Sequence, residues 1–141
     1  MKSHFKTKIN LILLLFIAQF SFAQVFTQNY DAGITKELVL ENVKLFENEI
    51  GKYDYSFTKS NIKSPYEYEA TWKKNDEITG LQTVKMKYKF SEKSAKVEIV
   101  KISHFFNNSD HAVTPEENTE LYNSNKNVFV NMFFKIMNFK E

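Results

Sequence analysis

Three stretches of this sequence alternate, and in each of them the apolar and aromatic side chains take every second place. Tyr53, Tyr55 and Phe57 alternate with Asp54, Ser56 and Thr58; Tyr66, Tyr68, Ala70 and Trp72 with Glu67, Glu69, Thr71 and Lys73; Val84, Met86, Tyr88 and Phe90 with Thr83, Lys85, Lys87 and Lys89. Successive side chains of a strand point to opposite faces, so each stretch predicts a strand with one apolar and one polar face. The connections, 60–65, 74–80 and 91–94, are short and polar, as the turns of an antiparallel meander are. A sheet of this kind has an aromatic side that needs a cover.

A fourth strand is expected over 95–106, but its pattern changes parity partway. Val97 and Ile99 lie on one parity, while Val100, Ile102, His104 and Phe106 lie on the other. A β-bulge near Ile99 or Val100 would return them to one face; otherwise the end of the strand is covered on both sides. The segment 107–113 that follows reads as a polar loop. Before the meander, 25–30 is a short β-prone stretch suited to an edge strand, and Asp31-Ala32-Gly33 reads as a turn.

Two helices supply the cover. Val39, Val43, Phe46 and Ile50 fall on one stripe of a 3.6-residue period, with Thr35 placed as N-cap and Gly51 as the C′ residue. Near the C-terminus, Thr114 and Glu117 make a capping box with Pro115 at the first helical position. From there Leu121, Tyr122, Val128, Phe129, Met132, Phe133, Ile136 and Met137 form a broad apolar stripe, long enough to cross a sheet. The run 123–127, Asn-Ser-Asn-Lys-Asn, has poor helix propensity and predicts a bend or break. The order is β-α-β-β-β-β-α: an α+β fold with a four-stranded antiparallel meander and a short N-terminal strand, both helices packing on the aromatic face.

Ahead of this domain, Lys2, Lys6 and Lys8 form a basic segment, 9–20 is apolar, and Ser21-Phe22-Ala23 fits a signal peptidase site. The apolar stretch is shorter than the roughly 20 residues a spanning helix needs. Residues 1–23 are therefore expected to be a signal peptide cleaved after Ala23, delivering 24–141 as one α+β domain to the periplasm or the medium. No membrane span is expected after cleavage. Without any cysteine the chain has no lipid-attachment site, no disulfide framework and no thiolate chemistry. Three of its 19 basic residues leave with the signal while all 17 acidic residues remain, so the net charge moves from +2 to −1. A nucleic-acid partner, which calls for a concentrated basic footprint, is not expected.

The chain has the size of one domain, and aromatic residues at 16% can fill its core. Motifs for chemistry are missing. His104 and His111 match no zinc spacing, and such a site usually needs three or four ligands. There is no Gly-x-Ser-x-Gly elbow, and Gly33, Gly51 and Gly80 lie too far apart for a phosphate loop. No catalytic residue, cofactor or metal is predicted, and the chain is expected not to be an enzyme.

Two surfaces are candidates for binding. The outward sheet face offers Glu67 and Glu69 on one strand, Lys85, Lys87 and Lys89 on the next, and Lys96 and Glu98 on the one after. It can dock another exported or envelope protein, or serve only as cross-strand charge pairing. The inward aromatics Tyr55, Phe57, Tyr66, Tyr68, Trp72, Tyr88 and Phe90 oppose Phe129 and Phe133 of the last helix. Within this set, Tyr55, Phe57, Tyr68, Trp72, Tyr88, Phe129 and Phe133 either line a cavity for a small apolar ligand or fill the core.

The element order resembles the TBP-like fold, and the helix-grip proteins share much of its logic. With the export signal, the lack of cysteine, the lysine- and asparagine-rich composition and the opening helix Ile34-Thr35-Lys36-Glu37-Leu38-Val39-Leu40-Glu41, the chain is similar to small secreted Bacteroidota domains of unknown function with that fold. This resemblance implies a fold and no activity. A helix-grip likeness would imply a greasy ligand held between the last helix and the sheet, oriented by tyrosine hydroxyls.

Overall fold

Thr35 opens the first helix from an extended backbone, φ −106° and ψ 162°, and its hydroxyl accepts from the Leu38 N–H at 3.3 Å. The computed structural model describes residues 23–78 and 80–138, and the expected signal lies outside them except for Ala23. Helix α1 runs over Lys36–Gly51 and buries Val39, Val43, Phe46 and Ile50, the expected stripe, together with Asn42. Gly51 does not take the C′ position. It is the last helical residue, Lys52 caps the end in right-handed geometry, and Asp54 is the residue that turns left-handed, at φ 64°. The physical reason is that an aspartate tolerates this conformation, so the glycine is not required there.

Six strands form one sheet: β1 (Gln24–Asn29), β2 (Ser56–Ser64), β3 (Glu67–Asp76), β4 (Gly80–Phe90), β5 (Ser94–Phe106) and β6 (Ser109–Ala112). The order is β1-β5-β4-β3-β2, with β6 pairing on β5, and all pairings are antiparallel. The N-terminal stretch thus becomes a strand at the edge beside β5. Tyr53 departs from its expected strand face: it lies in the turn before β2 and is exposed, so the alternation begins to count only at Tyr55.

Two bulges shape the sheet. In β5, Lys101 pairs with Lys85 and Ile99 with Met86, leaving Val100 as the extra residue. This places Val97, Ile99 and Ile102 together on the buried side, as the parity change required. The second bulge was not visible in the alternation. Ser60 pairs with Glu69 and Ser64 with Glu67, so Asn61, Ile62 and Lys63 oppose the single residue Tyr68. Residues 60–64, expected as a connection, therefore continue the strand, with Asn61 left-handed at φ 47°.

The polar segment 107–113 is also more ordered than expected. Asn107 and Asn108 are both left-handed, at 51° and 59°, and make a two-residue hairpin turn that folds β6 back on β5. Such turns need positive φ at both central residues and twist with the strands they join, and asparagine supplies this at low cost.

The C-terminal helix starts later than its capping box suggests. Thr114 does accept from the Glu117 N–H at 3.2 Å, but the turn it caps ends there. Asn118 then caps the helix, accepting from Leu121 at 3.1 Å. Helix α2 (Thr119–Lys126) passes into a π-helical segment (Asn127–Met132) and helix α3 (Phe133–Met137). The run 123–127 does not break. Asn125 is buried and donates to the Leu121 carbonyl at 2.9 Å, and the irregularity begins at Asn127, the last residue of the run, as widened π turns.

Both helices lie on the aromatic face. The Phe46 ring meets Trp72 edge-on at 5.8 Å and Phe133 at 5.2 Å, and buried Asn42 donates to the Met137 carbonyl at 3.1 Å. Val84, Met86 and Val97 are completely buried beneath them. Each such side chain contributes roughly 1.5–3 kcal/mol by leaving water, so this face carries the stability.

Candidate functional site

The opposite face of the sheet carries the charges and is hollow. An open groove of about 710 Å³ lies there, floored by Glu67, Glu69, Lys87, Lys89, Lys96 and Glu98 and walled by Asn61, Ile62 and Lys63. The wall is the β2 bulge, and its three residues were missed because the bulge does not show in the alternation. The one available signal was the identity of Asn61, a residue type that tolerates left-handed backbone. Asn61 donates from its side chain to Glu69, and Lys63 pairs with Glu67 at 2.9 Å. These contacts tie the wall to the floor.

Register sets the charge pattern of the floor. Facing residues of antiparallel strands share a face, so one row across the sheet reads Val25, Glu98, Lys87, Glu69 and Ser60. Its charges alternate, with Lys87 3.9 Å from both Glu69 and Glu98. The next row reads Thr27, Lys96, Lys89, Glu67 and Ser64, and two lysines stand side by side. Lys89 lies 3.8 Å from Glu67, and Lys85 reaches Glu69 at 3.6 Å. The hydrogen bond from Lys63 holds the Glu67 carboxyl below the usual carboxylate range. Of the expected docking residues, Glu67, Glu69, Lys87 and Lys89 line the groove, and Lys85 is the cross-strand neighbour of Thr71 just beyond it.

The rings of the expected ligand-lining residues pack on the other side, although Tyr68 and Tyr88 also border the groove between the charged positions of β3 and β4. Tyr68, Trp72, Tyr88, Phe129 and Phe133 are buried, while Tyr55 and Phe57 are partly covered. Their rings contact one another: Phe57 and Trp72 at 4.7 Å, Tyr88 and Phe133 at 5.0 Å, Tyr55 and Phe129 at 5.3 Å, Trp72 and Phe129 at 5.5 Å. Within this packing the Tyr68 hydroxyl, the Tyr88 hydroxyl and the Trp72 indole N–H have no hydrogen-bond partner. Trp72 is near enough to temper the rise of the Tyr88 pKa without meeting hydrogen-bond geometry. Burial pushes both phenols well above the usual tyrosine range, and Glu47 adds to the effect. Glu47 is itself paired with Lys59 at 2.8 Å, and that ammonium lies over the Tyr68 ring.

His104 and His111 face each other across β5 and β6, with ring centroids 5.3 Å apart. Among the described residues there is no group of three or more His, Asp or Glu placed to hold a metal ion. No helix among them is long and apolar enough to cross a membrane.

No family model matches the chain, and no curated protein does. Among solved structures it is similar to a TBP-like protein from Parabacteroides distasonis ATCC 8503, with 14% identity and a TM-score of 0.44, over 80% of this chain and 83% of that one.

Proposed function

We propose that this chain is an exported, non-catalytic binding module that receives a segment of another exported or envelope protein in the groove of its charged sheet face. The observation that carries the reading is the groove itself, which lies on the face without helices and is walled by a bulge that interrupts regular pairing. Bulges re-aim side chains beside functional sites. Here the bulge turns Asn61 and Lys63 onto the floor and leaves Ile62, 62% exposed, as an apolar rim. The alternative, a small apolar ligand beneath the C-terminal helix, has less support, because the aromatic rings that would enclose it touch each other.

A photo-crosslinking residue at Ile62 tests the reading, with one at Leu45, which is exposed on α1, as the control. In cells of the source organism, a defined protein adduct is expected from position 62 and none from position 45. Equal labelling at both positions, or none at 62, would overturn the proposal.

A further inference from the structure

The row of the floor that ends at Ser64 is electrostatically unbalanced. Lys96 and Lys89 are direct cross-strand partners, and like charges so placed destabilise a sheet. Glu67, the one carboxylate in the row, is already engaged by Lys63 at 2.9 Å and Lys89 at 3.8 Å. Lys96 makes no ion pair among the described residues. The adjoining row shows that the fold readily accepts the balanced arrangement, since Glu98 sits opposite Lys87 there. The row, with Lys63 from the adjoining bulge, thus gathers three lysines, Lys63, Lys89 and Lys96, against one acid in an open groove.

Resting on the docking reading above, we infer that Lys89 and Lys96 together seat a carboxylate of an acidic segment in the partner protein. Thr27, the exposed neighbour of Lys96 on β1, places a hydroxyl beside the same spot. A peptide suits this groove better than a uniformly anionic surface. A membrane of acidic lipids would bring negative charge against Glu67, Glu69 and Glu98 on the same floor, whereas a peptide of mixed sign answers both rows. Lysines act as compact point charges and fit a single carboxylate without the bidentate fork of arginine, which this chain lacks altogether.

The test uses a fluorescein-labelled peptide with two adjacent glutamates flanked by alanine and lysine, and a matched peptide with glutamines in their place. Saturable binding of the first is expected, at least tenfold tighter than the second and weakened by salt. Lys96→Glu should abolish the preference while leaving the melting temperature unchanged or higher, because it replaces a like-charge pair with an opposite-charge one. Lys44→Glu, a surface change on α1, should bind as the parent protein does. If Lys96→Glu binds the acidic peptide as well as the parent, or if the two peptides bind alike, the carboxylate seat is wrong, although crosslinking at Ile62 would still uphold docking. Competition by inorganic phosphate well beyond that of chloride at equal ionic strength, or tighter association with phosphatidylglycerol vesicles than with the peptide, would also overturn it.

Discussion

Gly80 has a φ of 73°, and a methyl group placed on it would lie 1.9 Å from the Phe105 carbonyl oxygen. No side chain fits that space, because the atom it meets is backbone. Gly80→Ala combines a left-handed alanine with a displaced strand, and should cost at least about 2 kcal/mol in urea denaturation. Buried phenols give a second residue-scale expectation. The folded-state values of Tyr68 and Tyr88 lie above the ordinary tyrosine value of 10.0, because burial opposes the phenolate. The folded state therefore holds these protons more tightly than the unfolded chain does. Their contribution is fully present below pH 10 and is lost as pH rises beyond it. The urea midpoint should fall above about pH 10, and the double variant Tyr68→Phe with Tyr88→Phe should flatten that fall. An unchanged slope would place the alkaline transition elsewhere. Near neutral pH the same variant should be no less stable than the parent, since the hydroxyls removed have no partners.

Elements were legible in proportion to how regular their side-chain pattern was. The stripe of α1 and the aromatic faces of β3 and β4 could be read because burial acts on every member of a periodic set. The β5 bulge was legible for the same reason, since it left Val100 and Ile102 out of phase with Ile99. The β2 bulge and the β5–β6 hairpin left no such mark. Their determinants are single asparagines, Asn61, Asn107 and Asn108, whose left-handed backbone cannot be told from an ordinary polar loop by periodicity. The groove was invisible for this reason, although the lysines and glutamates of its floor were not. If the Asn107-Asn108 turn sets the hairpin, Asn108→Gly should retain the fold and gain a few tenths to about 1 kcal/mol, while Asn108→Val should lose at least that much. Calorimetry of both separates a turn that directs pairing from one that merely tolerates it. At the C-terminal helix the sequence pattern points to Thr114 as the cap, and the structure assigns the role to Asn118. Asn118→Ala should cost about 1 kcal/mol of stability, and equal losses from Thr114→Ala would show that the preceding turn is part of the same cap.

Across the whole molecule the sheet divides labour between its faces. Both helices and the large aromatic side chains are on one side, so the other adds little to stability and is free to carry charge. Lys87 tests this division because it stands between Glu69 and Glu98 in one row of the floor. Lys87→Glu lines up three carboxylates, yet each cross-strand pair is worth only about 0.2–1 kcal/mol, so the total loss should stay near 1–2 kcal/mol. Adding Glu98→Lys restores alternation between those two strands and should recover part of it. On the helical face, Phe133→Ala removes a ring packed against Phe46, Tyr88, Phe90 and Phe134 and should cost about 3–5 kcal/mol. Urea denaturation of the three variants, compared with crosslinking from Ile62, separates fold from docking. Lys87→Glu should impair the adduct while the protein stays folded, whereas Phe133→Ala should weaken folding without altering the groove chemistry in the molecules that remain native. If Lys87→Glu destabilises as much as Phe133→Ala, the charged face is structural after all, and the groove loses its claim to be a binding surface.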